Sequence, residues 1–249
     1  MSSGAAALEQ IAIVLPIRDE EQRLDAAVEH ILAAMDRWES AGPGRTRLVL
    51  VLDSCTDGSP QIASRAADAD TRISIVTTAV RCVGAARALG VRTALAGIPS
   101  PSFHRQWIAS TDADTRVPAA WLEVFAEAAE AGADVLLGTV EPDLAELGRY
   151  RYYQWLRRYT RSEGHGHIHG ANLGVRASAY VDAGGFPSVT DDEDVGLVDA
   201  LRSRGADIRS SGKLHVVTSG RVRGRAEHGF AEYLAHLPVS DSVASEHER

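Results

Sequence analysis

The chain has 249 residues, 45% hydrophobic and 24% charged, which is enough apolar residue to bury a substantial core and too much for a disordered chain. Its formal net charge of −8, from 26 Lys and Arg against 34 Asp and Glu, argues against a nucleic-acid partner, which needs clustered positive charge to neutralise phosphates. No apolar run approaches the roughly 20 residues of a transmembrane helix, and Cys55 and Cys82 fit neither a CxxC pair nor a disulfide framework, so free thiols and a cytoplasmic setting are expected.

Residues 1–10 carry no basic side chain and read as a flexible N-terminus rather than a signal peptide. Ile11 to Leu15 predicts the first strand. Leu24, Val28, Ile31, Leu32 and Met35 recur at helical spacing and predict a helix ending near Ser40. Leu48 to Leu52 predicts the second strand, running into the cap-rich turn Asp53 to Ser59 and a short helix over 60–67. Ile73 to Val76 is the third strand, and a helix of small residues spans Val83 to Ala96.

Gln106 to Ala109 leads a fourth strand into Asp112-Ala113-Asp114, and Pro118 suits the first turn of a helix carrying Trp121 and Phe125. Val135 to Val140 predicts another strand and Leu144 to Arg161 a long helix. A glycine and histidine loop, Gly164 to Gly170, precedes a strand over Asn172 to Val175. Val195 to Ser203 reads as a helix, Leu214 to Val217 as the last strand, 226–237 as a final helix and 238–249 as a disordered tail. Strands alternating with helices predict an α/β fold with a mostly parallel sheet, as a single domain over 11–237 whose halves are 11–140 and 141–237.

Asp112 and Asp114 stand one residue apart at a strand end, where open α/β sheets bind ligands. Two such carboxylates can reach one hard cation, Mg2+ or Mn2+, or can merely cap the next helix. The run Asp191-Asp192-Glu193-Asp194 favours a helix N-terminus, and one of its carboxylates held near a substrate could act as general base. Lys213 is the only lysine and no P-loop surrounds it. His165, His167 and His169 lack a neighbouring cysteine or acidic ligand, so an acceptor-facing or flexible loop is expected rather than zinc. The aromatic stripe Tyr152, Trp155, Leu156 and Tyr159, with arginines around it, reads as a core-packing face. The alternative is a surface for a dimer partner, an acceptor or peripheral membrane contact.

Together these motifs resemble family 2 glycosyltransferases. Ile13 to Glu20 is similar to that family's opening strand and turn, and Val51 to Ser59 to its second-strand motif, with Leu52 replacing the first of the usual paired aspartates. Gly84-Ala85-Ala86-Arg87 with Gly90 is similar to its Gly-x-x-x-Ala-Arg-Asn helix, although Leu89 departs from the polar pattern. Asp112-Ala113-Asp114 corresponds to its DxD, Gly170 to Arg176 with Gly184-Gly185-Phe186 to its acceptor-side motif, and Glu193-Asp194 to its Glu-Asp pair.

The resemblance implies a GT-A fold, with a Rossmann-like nucleotide half, that moves a sugar from a nucleotide diphosphate-sugar, a UDP- or GDP-sugar first among them, to an acceptor hydroxyl with inversion. It implies that Asp53 binds the base and that Pro16, Arg18 and Glu20 flank base and ribose. Gly84 and Arg87 would meet the diphosphate, Asp112 and Ala113 the donor. Asp114 with Asp112 would hold Mn2+ or Mg2+, His215 being a candidate third ligand. Gly170, Asn172 and Asp192 would face the acceptor, Asp194 would be the base with Glu193 as its fallback, and Arg221, Arg223 and Arg225 would close over the diphosphate. A haloacid-dehalogenase-type phosphatase with Asp112 as nucleophile, or a non-catalytic nucleotide-sugar binder, are the alternatives.

Overall fold

The computed structural model describes residues 7–224 and 229–238. In chain order the elements are β1 (Gln10–Ile17), α1 (Leu24–Ala41), β2 (Arg45–Asp53), α2 (Ser59–Ala69), β3 (Ile73–Thr78), α3 (Val83–Leu95), β4 (Gln106–Ser110), β5 (Thr115–Arg116) and α4 (Trp121–Glu130). There follow β6 (Val135–Pro142), α5 (Leu144–Leu147), α6 (Arg149–Leu156), β7 (Leu173–Arg176), α7 (Ala177–Asp182), α8 (Glu193–Ser203), β8 (Ile208–Thr218) and α9 (Phe230–Ala235).

The strands form one sheet in the order β3-β2-β1-β4-β7-β6-β8-β5. β3, β2, β1 and β4 run parallel, β7 is antiparallel to both β4 and β6, and β8 is parallel to β6. The central strands are buried on both faces and read as continuous apolar runs, as helices on both sides of a parallel sheet require. Their side chains alternate between two cores. Ile11, Ile13, Leu15, Leu48 and Leu50 face the side of α1, α2 and α4, whereas Ala12, Val14, Val49 and Val51 face α3 and α8. Gly90 lets α3 lie close on the sheet, since a Cβ there would stand 2.4 Å from Val14 Cγ1.

Several boundaries differ from those expected. The flexible N-terminus does not extend to residue 10, because Leu8 is buried, the Glu9 amide donates to the Arg105 carbonyl and β1 opens at Gln10. The long helix over Leu144 to Arg161 is two short ones, broken at Gly148, whose φ of +83° no continuing helix adopts. The last strand starts at Ile208, where polar residues conceal it. The final helix is expected from Ala226, but 225–228, like the tail 239–249 and residues 1–6, lie outside the described residues.

Asn172 is a peg of the core rather than an acceptor contact. It is fully buried, accepts from the Trp121 indole N–H at 2.9 Å and donates to the carbonyls of Thr139 and Leu214 at 2.9 and 3.0 Å. It presses so close to Gly138 that a Cβ there would lie 2.1 Å from its amide nitrogen. Asn172→Leu removes three buried hydrogen bonds and leaves the Leu214 carbonyl only the Thr139 hydroxyl at 3.4 Å among side-chain donors, so we expect a loss of about 3 kcal/mol in urea unfolding, from roughly 1 kcal/mol per unmade bond.

Candidate functional site

β1, β2 and β4 end side by side, and the loops that follow them open on a cavity of about 690 Å³. Pro16, Arg18, Glu20, Asp53, Arg87, Asp112, Ala113, Asp114, Gly170, Asp192, Glu193 and Asp194 all line it. The backbone is strained in the same place: among the described residues Asp19 (φ 51°), Ser54 (56°), Arg81 (50°) and Asp192 (58°) are the positive-φ non-glycine residues, all within or beside the lining. Such strain persists where surrounding structure over-determines it, commonly at functional sites. Four expected site residues are not brought to the cavity wall, Gly84, Asn172, His215 and Arg223, whereas Arg221 lines it and Arg225 lies outside the described residues.

Asp53 is buried at the end of β2, accepting from the Arg81 amide at 2.9 Å and the Cys82 amide at 3.1 Å, so it fixes the entry to α3 as well as one end of the cavity. Gly84 leaves room for protein rather than ligand. A Cβ there would sit 2.0 Å from the Pro187 carbonyl oxygen and 3.0 Å from Glu193 Cβ. The small residue therefore lets α3 touch the loop that carries the acidic run.

Arg87 is buried and its donors are spent inside the protein. Nε meets Glu193 Oε1 at 2.9 Å, one terminal nitrogen reaches Ser110 Oγ and the Thr111 carbonyl, and the other reaches Asp112 Oδ1 at 2.6 Å. Burial disfavours its charge, but Asp112 and Glu193 outweigh this and hold it firmly protonated. It ties the DxD loop to the N-terminus of α8, a positioning task rather than the diphosphate contact that its motif implies. Gly170 makes the fit possible, since a Cβ there would stand 2.6 Å from the Arg87 guanidinium.

Asp114 is buried among the other charges of the cavity. Burial, against which Arg221 works, and the nearby carboxylates Asp112 and Glu20 push it up to about 6. Arg221 bridges it to Glu20, with nitrogens 2.9 Å from Asp114 Oδ2 and 2.7 Å from Glu20 Oε1. Among the described residues no three His, Cys, Asp or Glu side chains converge as a metal site. His215 is exposed, its side chain alternating out of β8 between buried Leu214 and Val216. Asp112 and Asp114 remain as two hard oxygen donors in a carboxylate-rich cavity. That set fits Mg2+ or Mn2+, which bind through one or two carboxylates with substrate phosphates completing the shell.

At the cavity's other side, Asp194 lies in the first turn of α8, where its carboxylate is favoured by the helix dipole. Its oxygens accept from the amides of Gly170 and Val195. Burial raises its pKa, with Arg87 opposing. Glu193 is also raised by burial, but Arg87 holds it in an ion pair.

A wall of rings adjoins this carboxylate, which the reading of the aromatic stripe as core describes only in part. Trp155 is buried, but Tyr159, stacked on it at 4.9 Å, lines the cavity together with His167, His169, Phe230 and Tyr233. Burial, aided by the other two histidines, lowers the His169 pKa to about 3. A histidine depressed in the folded state stabilises above its unfolded value of about 6.5. The contribution of His169 is therefore expected to be lost as pH drops from about 6.5 towards 3, and in urea titrations His169→Gln should lose less stability than the wild type across that window.

Among curated proteins no sequence matches the chain. Solved structures do. The mannosyltransferase PcManGT from Pyrobaculum calidifontis, in complex with GDP-Man and Mn2+, superposes with a TM-score of 0.62 at 18% identity, covering 89% of this chain and 60% of that one. GalNAc-T7 with UDP, GalNAc and Mn2+ gives 0.64 at 10% identity over 85% and 43%. S. aureus TarS gives 0.61 at 17% identity over 84% and 36%. The chain thus spans between about a third and three-fifths of the length of these structures, with which it shares the GT-A fold. Residues 12–180, more than half of the chain, match the family described as Glycosyl transferase family 2. The chain whose strand-end cavity is lined by Asp112, Asp114, Glu193 and Asp194 therefore belongs to glycosyl transferase family 2.

Proposed function

We propose that the chain transfers a sugar from a nucleotide diphosphate-sugar to an acceptor hydroxyl, by single displacement with inversion, with Mn2+ or Mg2+ held at Asp112 and Asp114. The observation that carries this reading is the opposition, in one cavity, of the Asp112–Asp114 pair and Asp194, with Arg87 linking the two loops. PcManGT is in complex with GDP-Man and Mn2+, and GalNAc-T7 with UDP, GalNAc and Mn2+, which supports a UDP- or GDP-sugar donor and a divalent cation. The phosphatase alternative loses its ground because the family is another.

In this reading Asp53 and the turn after β1 receive the nucleoside, and Arg18 stands beside them on the same wall. When bound, the cation neutralises the negative charge that develops on the departing diphosphate. Arg87 fixes the distance between donor loop and base loop. Asp194, steadied by the Gly170 amide, accepts the proton of the acceptor hydroxyl as its oxygen attacks the anomeric carbon. The raised pKa suits this role, since a more basic carboxylate takes a proton more readily. Glu193, occupied by Arg87, is the positioning partner and not the base.

The test is release of nucleoside diphosphate from a panel of UDP-, GDP-, ADP- and TDP-sugars, with Mn2+, with Mg2+ and with chelator. Metal-dependent release from one of them supports the reading. Release from none, with phosphate released from simple monoesters, overturns it.

A further inference from the structure

Beyond the donor chemistry, the cavity has a second region whose character differs from the first. Around Asp112, Asp114 and the acidic run the wall is charged; beyond Asp194 it is made of rings. Tyr159 and His167 stack at 4.1 Å and 6°. His169 meets Phe230 edge to face at 6.1 Å, and Phe230 in turn stacks near Tyr233 at 6.1 Å. These five side chains line the same cavity as Asp194.

The hydrogen-bonding groups of this wall are partly spent within it. The Tyr159 hydroxyl oxygen accepts from the Val140 amide at 3.1 Å and lies 2.8 Å from His169 Nε2. Arg158, at the rim, donates to the carbonyl and side-chain oxygens of Gln154. Charges of both signs border it: Arg158 and Arg161 on the side of Tyr159 and the carboxylates of Asp191 to Asp194 on the other, while Arg87 and Arg221 are committed to carboxylates. A planar apolar group would stack on such a surface.

Resting on the transferase reading above, we propose that the acceptor is a molecule whose reactive hydroxyl is joined to a flat aromatic ring, the ring packing against His167, His169 and Phe230 while the hydroxyl reaches Asp194. The wall then sets acceptor specificity, because the ring positions the hydroxyl.

The experiment compares initial rates on 4-nitrophenyl β-glucoside, methyl β-glucoside, benzyl alcohol and glycerol 3-phosphate, using the nucleotide-sugar that the wild-type protein consumes and counting donor hydrolysis separately. Ring stacking is expected to lower KM for the aryl glucoside about tenfold relative to the methyl glucoside. Phe230→Ala and His167→Ala, each made singly in the full chain, should raise KM for the aryl acceptor while leaving KM for the donor and the rate of donor hydrolysis unchanged. Equal use of the aryl and methyl glucosides, preference for glycerol 3-phosphate, or aryl compounds that neither accept sugar nor slow donor hydrolysis would overturn the proposal and leave the transferase reading standing. Consumption of no nucleotide-sugar at all would overturn both.

Discussion

Asp194→Asn is expected to lower kcat for transfer by about 10²–10⁴-fold, the range that a positioned general base contributes, while the affinity for donor changes little. The asparagine keeps the size of the side chain and one oxygen to accept from the Gly170 amide, so the fold of the α8 N-terminus should persist. What it loses is the capacity to take a proton. Because burial raises the Asp194 pKa, the acid limb of the wild-type rate profile should stand above the ordinary carboxylate range. Activity is retained while the group is ionised and lost as pH falls through that raised value. Rate profiles of kcat against pH, with nucleotide affinity measured in parallel, check both parts. Transfer surviving in Asp194→Asn would remove the residue from the mechanism.

Arg87→Met should have the largest effect on stability. Its guanidinium is 3% exposed and pairs with Glu193, itself 8% exposed, and with the more open Asp112. Removing the cation leaves the Glu193 carboxylate buried without its partner, a change that typically costs about 3–5 kcal/mol. For a domain of this size that corresponds to a fall in Tm on the order of 10 °C. Arg87→Lys should recover only part of it, since one ammonium cannot span Glu193, Ser110 and Asp112 in the planar fork that arginine supplies. Raising the Glu193→Gln change in the Arg87→Met background should restore some stability, because the unpaired charge is then gone. Melting and urea unfolding of the three variants decide the matter; a loss below about 1 kcal/mol for Arg87→Met would show that the pair is not a structural tie.

Much of this arrangement is legible in the chain. The apolar runs of β1 and β2 are long and unbroken because both faces are buried, and their alternate residues divide cleanly between two cores. The turns that follow them carry Asp and Ser at positions where the backbone turns left-handed, so the motif and the strain coincide at Asp19, Ser54 and Asp192. Carboxylates at strand ends and at a helix start are local features, and the cavity gathers them as their spacing implies.

What escapes the sequence is set by contacts between distant segments. Nothing local to Asn172 says that its amide will tie β6, β8 and α4 together, so an acceptor-side motif supplies a structural peg. Gly84 belongs to a ligand-binding pattern, yet its missing side chain admits the 187–193 loop. His215 is read from its neighbourhood in sequence, but strand alternation turns it outward. Arg221 reaches Glu20 across 201 positions, a link that no periodicity encodes. Tyr159 sits in a stripe of aromatic residues that mostly build core, and only its stacking with the histidine loop shows that it faces the cavity.

The central claim is that the strand-end cavity binds a nucleoside diphosphate through a divalent cation held by Asp112 and Asp114. The most direct measurement is a melting-temperature panel of UDP, GDP, TDP and ADP, each with Mn2+, with Mg2+ and with chelator, on the wild-type protein and on Asp114→Ala. A ligand that binds only the folded state raises Tm according to its concentration over Kd. The account predicts stabilisation by one nucleotide only when metal is present, and its loss in Asp114→Ala. Stabilisation that persists undiminished with chelator, or in Asp114→Ala, would contradict it.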